Sequence, residues 1–499
     1  MEKYTCKKGP NISRNTSVGY YYERSSEGVP FKWEMQPGTP IKTQPQEIVP
    51  PLSPPPAMLN YGLSKPSFSV EEPKQSVLLK LRNWKHLPCK RYFSRFTNKK
   101  AEEEEMRRHF VLAKPFSLED EKEYEHTTSN IIRRISSLFK NVRPGSDLTN
   151  FQLPPQMNLP RSSLQSYGEV IYSFGGHDLL GECSRRDLPI ERLKSVVTWN
   201  ISTLRPLVCG MSPYNPVLGE THHVSNGHIN VLTEQVSHHP PVSALHATHE
   251  KENIDVAWCQ YFTPKFRGSY VEVEVKGKRV MKLLNRAETY EMDQPKLIMN
   301  FLPPGAYWTG KIKIKCPETS LEAELNLISD SFIERFRGNN NRSIKGKIFE
   351  SSSGHQLYDI FGHWDRTVTA KNLKTGELEV IYNAKENITR LKPPTVKNLK
   401  EVMKSESAIV WSEVSEGILK KEWDRASKAK RAVEEKQRES LKQREASRQS
   451  WVPKHFSVVK DGKDWDCTPL QPTVPRAPLI ITEALGEIVN QIQDSNTMC

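Results

Sequence analysis

Nowhere in these 499 residues is there an apolar run near the roughly 20 residues that a membrane-spanning helix needs. No apolar stretch follows the opening Met1-Glu2-Lys3-Tyr4-Thr5-Cys6, so no secretory leader is expected. Cysteine is sparse, with eight residues and no Cys-x-x-Cys pair, which leaves zinc ribbons and dithiol redox chemistry without their ligands. Scattered thiols in a long chain fit a reducing compartment. The His-Glu-x-x-His spacing of helical zinc hydrolases is missing, and so are internal repeats and nucleic-acid-binding signatures. These absences predict no metal, no cofactor, no nucleic-acid partner and no enzymatic activity. A metal-dependent hydrolase would have to recruit His222, His223, His228, His246 and His249, which read more simply as strand or loop histidines.

The length allows two or three average domains, or one large barrel with tails. The formal charge is +13, which favours anionic partners such as phospholipid surfaces or phosphorylated ligands. Half of the 14 histidines fall between His222 and His249, and two are adjacent in Glu234-Gln235-Val236-Ser237-His238-His239-Pro240-Pro241. The prolines restrict the backbone, and the imidazoles suit an anion such as phosphate through their N–H groups or, as neutral ligands, a metal. Adjacent strand residues point to opposite faces, so both rings reach one anion only if the Pro-Pro turn bends the chain.

Residues 1–124 read as a disordered or low-complexity extension, with a proline-rich segment at 49–56, a basic patch at 90–100 and an acidic run at 102–105. The proline-rich part could recruit protein partners in an extended conformation. Within it, Phe31-Lys32-Trp33-Glu34-Met35-Gln36-Pro37-Gly38-Thr39-Pro40 resembles a signature of uncharacterised plant proteins, which suggests a separate module or a fused gene. Between 131 and 142, Ile131, Ile135, Leu138, Phe139 and Val142 recur at helical spacing, predicting an amphipathic helix that ends before Pro144-Gly145.

From about residue 230 to 384 the period becomes two. Val271, Val273 and Val275 alternate with charged residues, as do Ile312 and Ile314, and Leu321, Ala323, Leu325 and Leu327. The pattern predicts a large antiparallel sheet or barrel, and a barrel with enough strands can enclose a ligand cavity. After Pro393-Pro394 the chain turns helical, with a charged helix over 422–447. Trp451, Phe456 and Trp465 are expected to pin the following tail to the body.

The run Glu234–Pro241 closely resembles the E-Q-x-S-H-H-P-P fingerprint of the oxysterol-binding protein family. Asn215-Pro216-Val217-Leu218-Gly219-Glu220 resembles the family's N-P-x-L-G-E, Gly362-His363-Trp364 its G-x-W, and Lys430–Arg438 its late K-x-x-x-E-E-x-Q-R helix. The resemblance covers residues 125 to 482, and the arrangement is similar to short plant members that lack a pleckstrin-homology domain. It implies a β-rich α+β fold: an amphipathic lid helix and hinge at 125–155, a large antiparallel near-closed β-barrel with a central lipid tunnel and a C-terminal helical subdomain at 156–482, and a tail at 483–499.

The resemblance further implies that His238 and His239 bind the phosphate of phosphatidylinositol 4-phosphate, with Lys430, Glu434, Arg438 and Asn215 completing the headgroup site. Lys430, Glu434 and Arg438 lie at i, i+4 and i+8, roughly one helical face. Ser212 stands where many members carry lysine, which weakens the phosphate clamp. Leu148, Phe151 and Leu153 fall in a stretch that resembles the lid hinge touching the lipid. The implied function is carriage of a sterol or phosphatidylinositol 4-phosphate between membranes, from the cytosol and in peripheral contact with anionic intracellular membranes. The alternative is a phosphoinositide-sensing tether or regulator without net transport.

Overall fold

The computed structural model describes residues 34–36, 39–40, 110, 112–120, 137–140, 142–149, 151–301, 304–328, 342–462 and 464–481. The chain divides into two units, Met1–His86 and Leu87–Cys499. In the first, Glu34–Gln36 and Thr39–Pro40 form an antiparallel hairpin within the Phe31-to-Pro40 motif. The proline-rich segment, the basic and acidic runs, most of the 131–142 stripe and the 483–499 tail lie outside the described residues.

The second unit is built on a 16-stranded sheet, antiparallel except where Leu479–Ile481 pairs parallel with Thr221–Asn226. Period-two alternation becomes burial: Ile312 and Ile314 face Leu325 and Ala323 across two strands, and all four are buried. Each such aliphatic side chain contributes about 1.5–3 kcal/mol on leaving water. Two 13-residue strands, Ile254–Phe266 and Pro304–Cys316, are long enough to serve different neighbours along their two halves. One half of Ile254–Phe266 pairs with Arg279–Leu283, the other with Tyr270–Lys276. Pro304–Cys316 likewise pairs with Lys296–Phe301 and, further along, with Glu288–Met292 and Leu321–Ile328. The sheet therefore forks, and the pairings around the fork run in a ring through these strands. The outer edges of the sheet, Leu378–Asn383 and Thr395–Val396, are not paired with each other among the described residues.

Among the described residues, longer helices precede the sheet, and the alternating pattern that dominates the sequence does not reveal them. Ser163–Tyr172 starts with a capping box, in which Ser162 Oγ accepts from Leu164 N at 3.4 Å and Gln165 Oε1 accepts from Ser162 N at 2.8 Å. Leu179–Arg185 and the proline-led Pro189–Ser202 follow. After the sheet come Ser407–Val410, Ser412–Leu419 and the long charged helix Trp423–Ala446.

One expectation is corrected. Residues 112–120 belong to the packed body rather than to an unstructured extension. Phe116 and Ser117 are buried, Phe116 N donates to Glu169 Oε1 at 3.2 Å, and Leu118 N donates to Ile388 O at 3.1 Å. Phe110, Leu112 and Leu118 pack on the main core. Four apolar residues within nine positions supply enough burial to order a segment that charge-rich neighbours disguise.

Candidate functional site

The histidine run ends a strand, Ile229–His238, that begins deep in the core. A register shift between Gln235 and Ser237 interrupts its pairing with Pro241–His249. This bulge, followed by the turn at residues 239–240, defeats strict alternation. The two imidazoles meet edge to face with centroids 4.8 Å apart, instead of pointing to opposite faces. His238 Nδ1 lies 3.0 Å from the Pro216 carbonyl oxygen, which fixes it as the protonated donor and turns Nε2 outward as the remaining ring nitrogen. Burial, and then the neighbouring His239, hold the His238 pKa below its ordinary value, while the Pro216 bond opposes them. The contact joins the histidine run directly to the Asn215–Glu220 motif.

Both motifs also carry residues whose work is structural. The Glu234 carboxylate accepts Lys454 N at 2.8 Å and His455 N at 2.9 Å, clamping the C-terminal segment to the strand. Glu220, wholly buried, accepts from Val217 N, Ser407 Oγ and Trp411 Nε1 at 2.9, 2.7 and 2.8 Å. Burial pushes its pKa up and these donors pull it down, the first effect prevailing. Gly219 adopts φ +78° against the Trp451 ring, a left-handed backbone that glycine takes freely. Phe456 is buried with Val236, Val242 and Tyr261, and Trp465 packs on the same cluster, so the three tail aromatics do pin the tail.

Helix Trp423–Ala446 crosses near this mouth, where Gln437 Oε1 accepts Leu218 N at 3.2 Å. Lys430 Nζ donates to the Leu153 carbonyl and lies 3.3 Å from Glu434 Oε1. Arg438 is exposed one turn further on. The residues expected to form a lid hinge, Leu148, Phe151 and Leu153, pack around Pro264, Phe139 and Met157. Leu148 N donates to Pro264 O at 3.0 Å, Phe139 stacks on Phe151, Phe266 and Phe301, and Leu153 packs near Met157.

Beneath lies a cavity of about 420 Å³, walled by Tyr167, Phe262, Val273, Val275, Leu297 and Met299 among others, and set in the fork of the sheet. Asn215, Ser212 and Phe151 line it. His238, His239, Lys430, Glu434 and Arg438 stand outside its wall, with His238 tied to Pro216, which does line it. Sequence reasoning did not single out the polar side chains inside: Arg161, Glu169, Arg205, Arg279 and Gln294. The remaining clustered histidines are engaged elsewhere. His222 bonds Glu406 at 2.6 Å and Tyr172 at 3.1 Å, and His246 and His249 bond Asp255 and Asp178, each at 2.8 Å.

Comparison with known proteins places this architecture. Residues 135–471 match the family described as "Oxysterol-binding protein". Oxysterol-binding protein-related protein 4B of Arabidopsis thaliana is 84% identical over 381 residues, covering 76% of this chain and 100% of that protein. The Osh1 ORD domain in complex with cholesterol superposes with a TM-score of 0.57 at 22% identity, over 67% of this chain and 86% of that one. The Osh3 ORD of Saccharomyces cerevisiae in complex with PI(4)P gives 0.53 at 21% identity, over 73% and 93%. The family match over two thirds of the chain, and the identity to a relative covered from end to end, show that the chain belongs to the oxysterol-binding protein family.

Proposed function

We propose that the protein binds one lipid at a time, a sterol or phosphatidylinositol 4-phosphate, and carries it between membranes by exchange. The single observation that carries this reading is the largely apolar cavity of about 420 Å³ whose wall includes Asn215 and Pro216, the latter tied to His238. Its volume is that of a small-ligand site, so two lipids would compete for it. A lipid burying roughly 400 Å² of apolar surface gains on the order of 10 kcal/mol before costs. A charge-assisted headgroup bond adds about 1.5–3 kcal/mol. The cavity therefore provides most of the affinity, and the rim selects the headgroup. In this reading the imidazoles hold the phosphate, Lys430 and Arg438 add cationic donors, and Glu434 accepts inositol hydroxyls. Ser212 contributes a hydroxyl in place of an ammonium. Leu148, Phe151 and Leu153 cover the lipid and keep its apolar body from water in transit. No bond is made or broken.

The full chain, mixed with donor liposomes containing a fluorescent sterol and acceptor liposomes containing phosphatidylinositol 4-phosphate, should move the two lipids in opposite directions. Binding of either lipid with no change in its distribution would replace the carrier by a sensor.

A further inference from the structure

The deep end of the cavity carries a buried cation with no counter-ion. Arg279 sits opposite Trp258 on neighbouring strands and is 7% exposed. Trp258 pairs with Leu245, four residues along its strand from Pro241, which sets this level about 13 Å inward of the histidine pair. The guanidinium lies 3.8 Å above the Trp258 ring. One Nη donates to Thr203 Oγ1 at 3.1 Å, and the other reaches Gln294 Oε1 at 3.5 Å. Arg279 Nε, Trp258 Nε1 and Gln294 Nε2 are buried donors without a partner. Thr203, Trp258, Arg279 and Gln294 all line the cavity.

The other charged groups on the wall do not neutralise it. Arg161 is paired with Glu169 at 2.7 Å. Arg205 gives both Nη groups to the carbonyls of Ser202 and Ser173. Neither Arg205 nor Arg279 has an ion-pair partner among the described residues, so the wall keeps two uncompensated positive charges. Desolvation alone pushes the Arg279 pKa down to about 9, still leaving the cation dominant at neutral pH.

We propose that this end of the cavity is a subsite for a lipid carrying a carboxylate at its buried end. The inference rests on the lipid-cavity reading above and goes beyond it in naming the chemistry of the inner end. An unpaired buried charge is costly, and an entering anion offsets that cost. A carboxylate is acceptor-only and matches a set of unpaired N–H groups, whereas a sterol hydroxyl brings a donor of its own. The guanidinium supplies both charge and a fork geometry for it.

The test uses the full chain and displacement of a fluorescent sterol by three probes: cholesterol, 3β-hydroxy-5-cholenoic acid and the methyl ester of that acid. The acid should bind about tenfold or more tighter than its ester. Arg279→Gln should bring that ratio to about one. Arg279→Lys, which keeps the charge, should retain a reduced preference for the acid, and it serves if the Gln variant does not fold. Equal binding of acid and ester by the unaltered protein overturns the proposal. So does an acid preference that survives Arg279→Gln, which would put the carboxylate at the histidine mouth. If none of the three probes binds, the lipid-cavity reading itself falls and the subsite with it.

Discussion

Gly219 and Trp451 are in such close contact that a Cβ on the glycine would lie 2.5 Å from Trp451 Cη2. The residue that shapes the Asn215–Glu220 motif is thus held by the tail of the same chain. Gly219→Ala should destabilise the protein by about 2 kcal/mol through the clash and the φ of +78° together. Gly227 also has positive φ, at +54°, but no atom within 4 Å of its Cβ position, so Gly227→Ala reports backbone strain alone, about 1 kcal/mol. Urea unfolding of the two variants checks the difference, and equal midpoints would remove the role given to Trp451.

Replacing His238 and His239 together by alanine deletes two donors from the mouth and leaves the cavity wall intact. Affinity for phosphatidylinositol 4-phosphate in liposomes should fall about tenfold or more, with cholesterol uptake nearly unchanged. Equal loss of both ligands would make the pair a structural element.

Acid should act in two opposing ways through His238. Its folded-state pKa is depressed by burial and by His239, so the unfolded chain takes up its proton first, near 6.5. The stability contributed by this residue is present above that value and is lost as the pH falls through the lower, folded-state pKa. A bound phosphate favours the imidazolium instead. Phosphoinositide affinity should therefore rise from about pH 7.5 to about pH 6 while cholesterol affinity stays level. Calorimetry in two buffers of different ionisation enthalpy should show proton uptake on phosphoinositide binding, and its absence would exclude imidazole as the phosphate ligand.

Lys430 ties the long helix to the proposed lid hinge by donating to the Leu153 carbonyl. Lys430→Met keeps the length of the side chain and removes this bond, at a cost of about 1–3 kcal/mol. If the hinge holds the ligand in, the sterol dissociation rate should increase roughly tenfold in stopped-flow measurements. An unchanged rate would confine Lys430 to the headgroup.

Part of the sheet was legible because strands such as Pro304–Cys316 and Leu321–Ile328 bury one face: Ile312, Ile314, Leu321, Ala323, Leu325 and Leu327 alternate with polar or charged residues in sequence and are buried in the structure. The helices between residues 163 and 202 were less visible, since Pro189–Ser202 buries Arg192, Lys194 and Asn200 along with its apolar residues and so blurs its stripe. The histidine pair and the Asn215 motif stood out as local runs. Their closest supports did not, because Glu234 reaches residues 454 and 455, and Glu220 reaches 407 and 411. No periodicity encodes contacts over such separations. Arg279 was hidden for a different reason: in sequence it is one more basic residue after a glycine turn, and only the fork in the sheet makes it part of a cavity.

The clamp formed by Glu234 has a consequence for biosynthesis. Its partners, Lys454 N and His455 N, come from a segment that leaves the ribosome long after the strand it secures. A nascent chain could pair its first strands and still present an unlatched mouth until that segment emerges. Premature lipid capture during translation would then be discouraged, and a chain interrupted before residue 451 would lose its latch with nearly the whole sheet already made.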